Sequence, residues 1–137
     1  MTYARRYTQG FSLIELMIVV SIIATLSAIA IPAYHNYVLK SQLTAGVAFL
    51  NSLVTPAELY LQEHGSLDES TDLAQLGVSP DKSPLGTLKI EQGDLTFHFH
   101  QPNGAVATLS RDHQLGWQCE MTLTNTQLTE YIPAGCR

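Results

Sequence analysis

Charge is scarce in this chain. Only 14% of its 137 residues are Asp, Glu, Lys or Arg, against 45% hydrophobic. Soluble domains average about 25% charged, so a disordered polyelectrolyte is excluded. Positive charge is the scarcer sign, with Lys+Arg 7 against Asp+Glu 12 and a net charge of -5. A general nucleic-acid coat needs a basic surface, so that class is excluded too. The two cysteines, Cys119 and Cys136, are too few for a disulfide scaffold or a cysteine-based zinc site. There is no Gly-rich phosphate loop, no His-Glu-x-x-His and no Gly-x-Ser-x-Gly, so no catalytic residue and no cofactor is expected. The length suits one modest domain.

Two weaker constellations remain. His98 and His100 stand two apart on one strand face, but spacing supplies no third ligand. A solvated polar face is expected there, and no metal. Asp68, Glu69 and Asp72 lack the ligand spacing of a calcium loop, so a solvated acidic loop is expected.

What charge there is avoids the beginning. Between Leu16 and Leu39 stand 24 residues without an acid, Lys or Arg. As a helix that run reaches roughly 36 Å, enough to cross a hydrocarbon core of about 30 Å. It is too long for the core of a cleaved secretory signal, and no small-x-small exit site followed by a turn ends it, since Pro32-Ala33-Tyr34-His35 runs on in helical pattern. Arg5 and Arg6 precede it, and Glu15 sits at its edge. A carboxylate in hydrocarbon is costly and asks for a partner. A cut between Gly10 and Phe11 would create one, the α-amino group of Phe11, one turn from Glu15. Glu15 would then neutralise its own terminus or that of a neighbouring chain, the latter acting as a register device. The alternative is a protonated Glu15 at the membrane interface with no role.

Gly10-Phe11-Ser12-Leu13-Ile14-Glu15 followed by an apolar stretch resembles the processing site of type IV prepilins. The segment from Phe11 to Tyr37, with Pro32-Ala33-Tyr34 and Asn36-Tyr37, is similar to type IVa pilins. The resemblance implies cleavage after Gly10 by a prepilin peptidase, N-methylation of Phe11, and a part for Glu15 in subunit entry into a filament. It also implies a disulfide-bounded C-terminal loop, which Cys119 and Cys136 match. One residue departs from the pattern. Ala24 stands where many type IVa pilins have Gly, and Ala favours helix by about 1 kcal/mol.

Past Pro32 the apolar pattern becomes one-sided. Leu43, Val47, Leu50, Val54, Ala57 and Leu61 form a single stripe, and Gly65 is a natural stop. Pro32 and Pro56 are each expected to remove a backbone hydrogen bond and kink the helix. After a loop rich in Ser, Asp, Pro and Gly, with a helical hint at 71–76, alternation of period two appears around Leu88, Phe97, Val106 and Met121. That predicts an antiparallel meander. Cys119 and Cys136 enclose sixteen residues. Closing a loop near that length is worth roughly 3 kcal/mol in the chain-entropy model. The rival reading is a catalytic or metal-binding thiol pair, against which stands the absence of Cys-x-x-Cys. Arg5 and Arg6 place the leader in the cytoplasm and the head across the membrane, where disulfides persist.

The expected fold is α+β, a long N-terminal helix on a small antiparallel sheet of about four strands, with a disulfide-closed C-terminal loop. Its expected segments are a leader (1–10), a membrane and filament-core helix (11–39), an amphipathic half (40–64) and a head (65–137). The expected function is a structural subunit of a type IV pilus for adhesion, twitching motility or DNA uptake. The alternatives are a minor pilin, a pseudopilin of type II secretion, or a membrane-tethered periplasmic enzyme. Expected partners are identical subunits, the prepilin peptidase, the assembly platform and minor pilins. The inner membrane would hold the chain before assembly. Losing Arg5 and Arg6 with the leader takes the net charge from -5 to -7, so DNA contact is expected only at local or tip sites.

Overall fold

The computed structural model describes residues 10–79 and 83–137 and divides into two units, Met1–Asn36 and Tyr37–Arg137. Residues 1–9 of the expected leader, with Arg5 and Arg6, lie outside the described residues, as does Lys82.

In the first unit Gly10, Phe11 and Ser12 are not helical, and helix α1 (Leu13–Ser52) begins directly after them. From Phe11 to Asn36 no side chain is buried and only Ser27 is half-buried. An apolar helix with every side open has its hydrophobic surface still to cover. Thr25 donates its hydroxyl to the Ile22 carbonyl at 2.8 Å, so this polar group is met inside the helix. Pro32 lies inside α1, and the helix continues through it.

The second unit starts with the C-terminal part of α1 and continues into α2 (Val54–His64). The two are parted at Leu53, whose N–H donates to Leu50 O in a tighter turn. Pro56 explains the break, because it has no N–H for the Ser52 carbonyl and its ring would clash there. The helix expected over 40–64 is therefore two helices. Helix α2 ends at Gly65, which takes φ 86° and donates its N–H to Leu61 O. This left-handed cap suits a residue without Cβ.

A four-stranded antiparallel sheet follows in the order β1 (Gly86–Glu91), β2 (Asp94–Phe99), β3 (Val106–Asp112), β4 (Gly116–Thr122). Each strand pairs with the one before it, as a meander requires. The register Leu88↔Phe97↔Ala107↔Met121 sets one apolar row across all four strands. The strand expected around Val106 starts at that residue and runs to Asp112.

The helical stripe and the inner sheet face share one core. Leu43, Val47, Leu50, Leu53 and Ala57 join Leu88, Ile90, Leu95, Phe97, Phe99 and Leu109 in it. Gly46 faces the Phe99 ring edge, and the Phe49 and Phe97 rings sit 5.5 Å apart. The missing side chain at Gly46 is what lets helix and ring approach. Each large aliphatic or aromatic side chain of this core contributes roughly 1.5–3 kcal/mol by its burial. Of the stripe expected from periodicity, Val54 and Leu61 are only half-buried. Thr96 departs from the expected open polar face. It is buried and donates its hydroxyl to Lys89 O at 3.3 Å.

Two short 3-10 helices complete the unit. One (Leu73–Leu76) replaces the helical hint at 71–76, and Asp72 caps it by accepting the Ala74 N–H. The other (Thr126–Tyr131) lies between Cys119 and Cys136 and was not expected.

Candidate functional site

The segment singled out by the sequence begins at Gly10. Ser12 precedes the first helical residue and its side-chain oxygen accepts the Glu15 N–H at 3.3 Å. Glu15 reaches back, and its Oε2 accepts the Ser12 N–H at 2.9 Å. The two bonds form a reciprocal capping box, Ser-x-x-Glu, which satisfies two donors left over at a helix start. The Ser12 carbonyl accepts the first main-chain helical bond, from Leu16 N at 3.2 Å. Phe11, 93% exposed, projects just outside the helix. Ser12 was not among the residues expected to matter. The signal for it was present, a Ser three residues before a Glu at the edge of an apolar run.

Beyond this cap, the most apolar window of the helix has a mean hydropathy of 2.5 and none of it is buried. It is long and apolar enough to cross a membrane. The same surface suits contact with the equivalent helix of another copy, since both options remove apolar area from water.

In the second unit Cys119 and Cys136 form a disulfide with their Cα atoms 4.4 Å apart. Cys119 is half-buried on the inward side of β4, and Cys136 is fully buried in the core. The thiols are therefore consumed in a bond, which excludes the reading of a catalytic or metal-binding pair. The disulfide ties the C-terminus to β4 and presents residues 120–135 between them.

The strongest electrostatic feature of this unit was not expected from sequence. Glu58 on α2 accepts both forks of the Arg111 guanidinium, from Nε at 2.7 Å and from the terminal nitrogen at 2.8 Å. It also accepts the Trp117 indole N–H at 3.0 Å. The Arg111 hydrogen bond, helped by Trp117 and Gln62, holds the Glu58 carboxyl down at about 2. Arg111 is pushed up in return by its bond to Glu58. Residues 53 apart in sequence cannot be matched by a local rule, so no sequence signal would have found the pair.

His98 lies 3.2 Å from Glu91 Oε1 on the neighbouring strand, whereas His100 lies just past the end of β2. Asp68 accepts from Ser70 N and from the Ser70 and Thr71 hydroxyls, and the Ser70 bonds hold its carboxyl below the usual range. It closes a turn with its neighbours, and Asp72 caps a helix, so two of the three acids have structural partners. Among the described residues no three His, Cys, Asp or Glu side chains gather as a metal site.

An exposed apolar helix in one unit, and a helix on a disulfide-tied antiparallel sheet in the other, define a filament subunit of the pilin class. The chain belongs to the pilin family. The family pattern described as pilin of bacterial filaments matches residues 40–137, and the prokaryotic N-terminal methylation motif matches residues 5–31. Among its relatives, a fimbrial protein of Pseudomonas aeruginosa is 33% identical, over 93% of this chain and 96% of that protein. A type IV major fimbrial protein FimA of Dichelobacter nodosus is 32% identical, over 94% of each. The prepilin peptidase-dependent protein D of Escherichia coli strain K12 is 53% identical over 60 residues, 44% of this chain and 41% of that one. The chain is thus a type IV pilin, a structural subunit of a pilus.

Proposed function

We propose that this pilin is made as a membrane-held precursor with leader 1–10, is cut between Gly10 and Phe11 by a prepilin peptidase, and is then N-methylated on Phe11. Residues 11–39 are its membrane segment and later its filament core. Residues 40–64 carry the core stripe, and 65–137 form the head. The orientation is single-pass in the inner membrane, with the head periplasmic before assembly and extracellular after it. The observation that carries this reading is the helix from Leu13 to Asn36 with no buried side chain. Such a surface is stable only in lipid or against other copies of itself. The methylation-motif match over residues 5–31 supports the processing step.

Glu15 serves assembly as the single carboxylate of the apolar stretch, satisfied by the α-amino group of a neighbouring Phe11 when the stagger is right. The subunit is the major one of a filament used for adhesion, twitching motility or DNA uptake. The assembly platform and minor pilins are its assembly partners, and any DNA contact is local or at the tip.

The deciding experiment is the mass and N-terminal sequence of protein sheared from cells. Abundant protein starting at methyl-Phe11 is the expected result, and protein starting at Met1 would overturn the processing scheme. Cells carrying Glu15→Ala should make few or no filaments. Normal filament amounts in those cells would overturn the role given to Glu15.

A further inference from the structure

A protease needs the carbonyl of the bond it cuts. Water adds to the carbonyl carbon of Gly10, the C–N bond to Phe11 breaks, and the products are a Gly10 carboxylate and a Phe11 α-amine. That carbonyl must be free to be polarised as negative charge develops on its oxygen. A carbonyl inside a helical turn has one of its two lone pairs committed, and its peptide bond is folded into the helix rather than extended for a protease to grip.

Where the helix starts therefore matters for cleavage, and two starts compete. Gly is a tolerated N-cap residue. Were Gly10 the cap, its carbonyl would accept the Ile14 N–H, and Phe11 and Ser12 would join the first helical turn. The structure instead places the cap at Ser12. The Ser12 carbonyl accepts Leu16 N–H, the Ser12 hydroxyl accepts Glu15 N–H, and Glu15 Oε2 accepts Ser12 N–H. No backbone N–H among the described residues donates to Gly10, and Gly10, Phe11 and Ser12 are all exposed and non-helical.

We propose that Ser12 is a positioning residue for leader removal: its capping box fixes the helix start at Leu13 and so keeps the Gly10 carbonyl unbonded and the Gly10–Phe11 peptide outside the helix for the peptidase. The inference rests on the reading that this bond is the one cut. It assigns to Ser12 a function separate from the charge of Glu15. Gln in place of Glu15 still accepts from Ser12 N–H and keeps the box, so the two functions can be separated.

The test uses the full-length chain in membranes with a prepilin peptidase, following the loss of the leader by mass. An N-cap contributes about 1 kcal/mol, and one factor of ten corresponds to about 1.4 kcal/mol. Ser12→Ala is therefore expected to lower kcat/KM for leader removal by up to about fivefold. Ser12→Thr keeps the hydroxyl and should stay within about twofold of the parent. Glu15→Gln should likewise be cut at near the parental rate while failing to assemble. A second readout needs no peptidase: in detergent micelles the Cα chemical shift of Phe11 should move to a helical value in Ser12→Ala. Parental cleavage of Ser12→Ala, or an unmoved helix start, would overturn the inference. So would slow cleavage of Ser12→Thr, since the hydroxyl would then be irrelevant. If the parent chain itself is not cut after Gly10, the processing scheme falls, and this distinguishes the two failures.

Discussion

Glu58 and Arg111 stand 53 residues apart and meet in a two-pronged ion pair, at 2.7 and 2.8 Å, that ties α2 to β3. Trp117 adds a third donor from β4 to the same carboxylate. One acid thereby links a helix to two strands. Both partners are partly open to water, which screens the pair, so its value lies more in fixing position than in raw stability.

That pair has a pH signature. The folded Glu58 carboxyl titrates at about 2, below its usual 4.5, because Arg111 holds it ionised. A depressed folded value adds stability above the unfolded value, and this is lost as pH falls through the folded one. The melting temperature of the full chain in detergent should therefore fall between about pH 4.5 and 2. Glu58→Gln should flatten that part of the profile and lower the melting temperature at neutral pH. An unchanged acid limb in Glu58→Gln would contradict this account.

Gly86 opens β1 opposite Phe99. A Cβ there would collide with the His98 carbonyl oxygen, a backbone atom that cannot swing aside, and would meet the Phe97 ring edge at 2.8 Å. Gly86→Ala should cost about 1–3 kcal/mol by overpacking. Denaturant titration reads this directly, and a loss under about 0.5 kcal/mol, the size of an ordinary surface change, would argue against the packing described.

The turn between β1 and β2 has two residues, Gln92 at φ 56° and Gly93 at φ 92°. Both are left-handed, the geometry of a tight hairpin that favours Asn-Gly. Gln is a poor occupant of its first position, and Asn tolerates that region better. Gln92→Asn should stabilise the chain by about 0.5–1 kcal/mol, seen as a higher denaturant midpoint with an unchanged slope.

Reducing the Cys119–Cys136 bond releases a loop of 17-residue separation. The chain-entropy model gives a loss of about 3 kcal/mol. Cys119→Ser with Cys136→Ser should lower the denaturant midpoint accordingly. The loss should grow if the hydroxyl at position 136 is left unpaired, because Cys136 is fully buried.

Much of this molecule was legible in order of sequence. The uncharged stretch from Leu16 to Leu39, the stripe through Leu43, Val47, Leu50 and Ala57, and the alternation through Leu95, Phe97 and Phe99 each report a local periodicity. Helices and strands repeat at fixed spacings, so their apolar faces are written into the chain. Gly65 marked the end of α2 because its left-handed conformation suits glycine. The interruption at Leu53 followed from Pro56, although the sequence suggested a bend and the chain splits into two helices. Ser12 was readable as well, since a capping box is a short-range pattern, but the charge of Glu15 masks its use as a hydrogen-bond acceptor.

Other features were decided only in three dimensions. The burial of Thr96 depends on neighbours from β1 and β3, which no alternation rule supplies. The clasp of Glu58 by Arg111 and Trp117 requires α2, β3 and β4 to be in place first. Local propensity and periodicity act between residues a few positions apart, so the sequence alone determined the long apolar helix, the four strands and the family. Which distant side chains meet depends on strand register and on the fit of Gly46 against Phe99. Those are consequences of close packing, which settles only when the whole core is assembled.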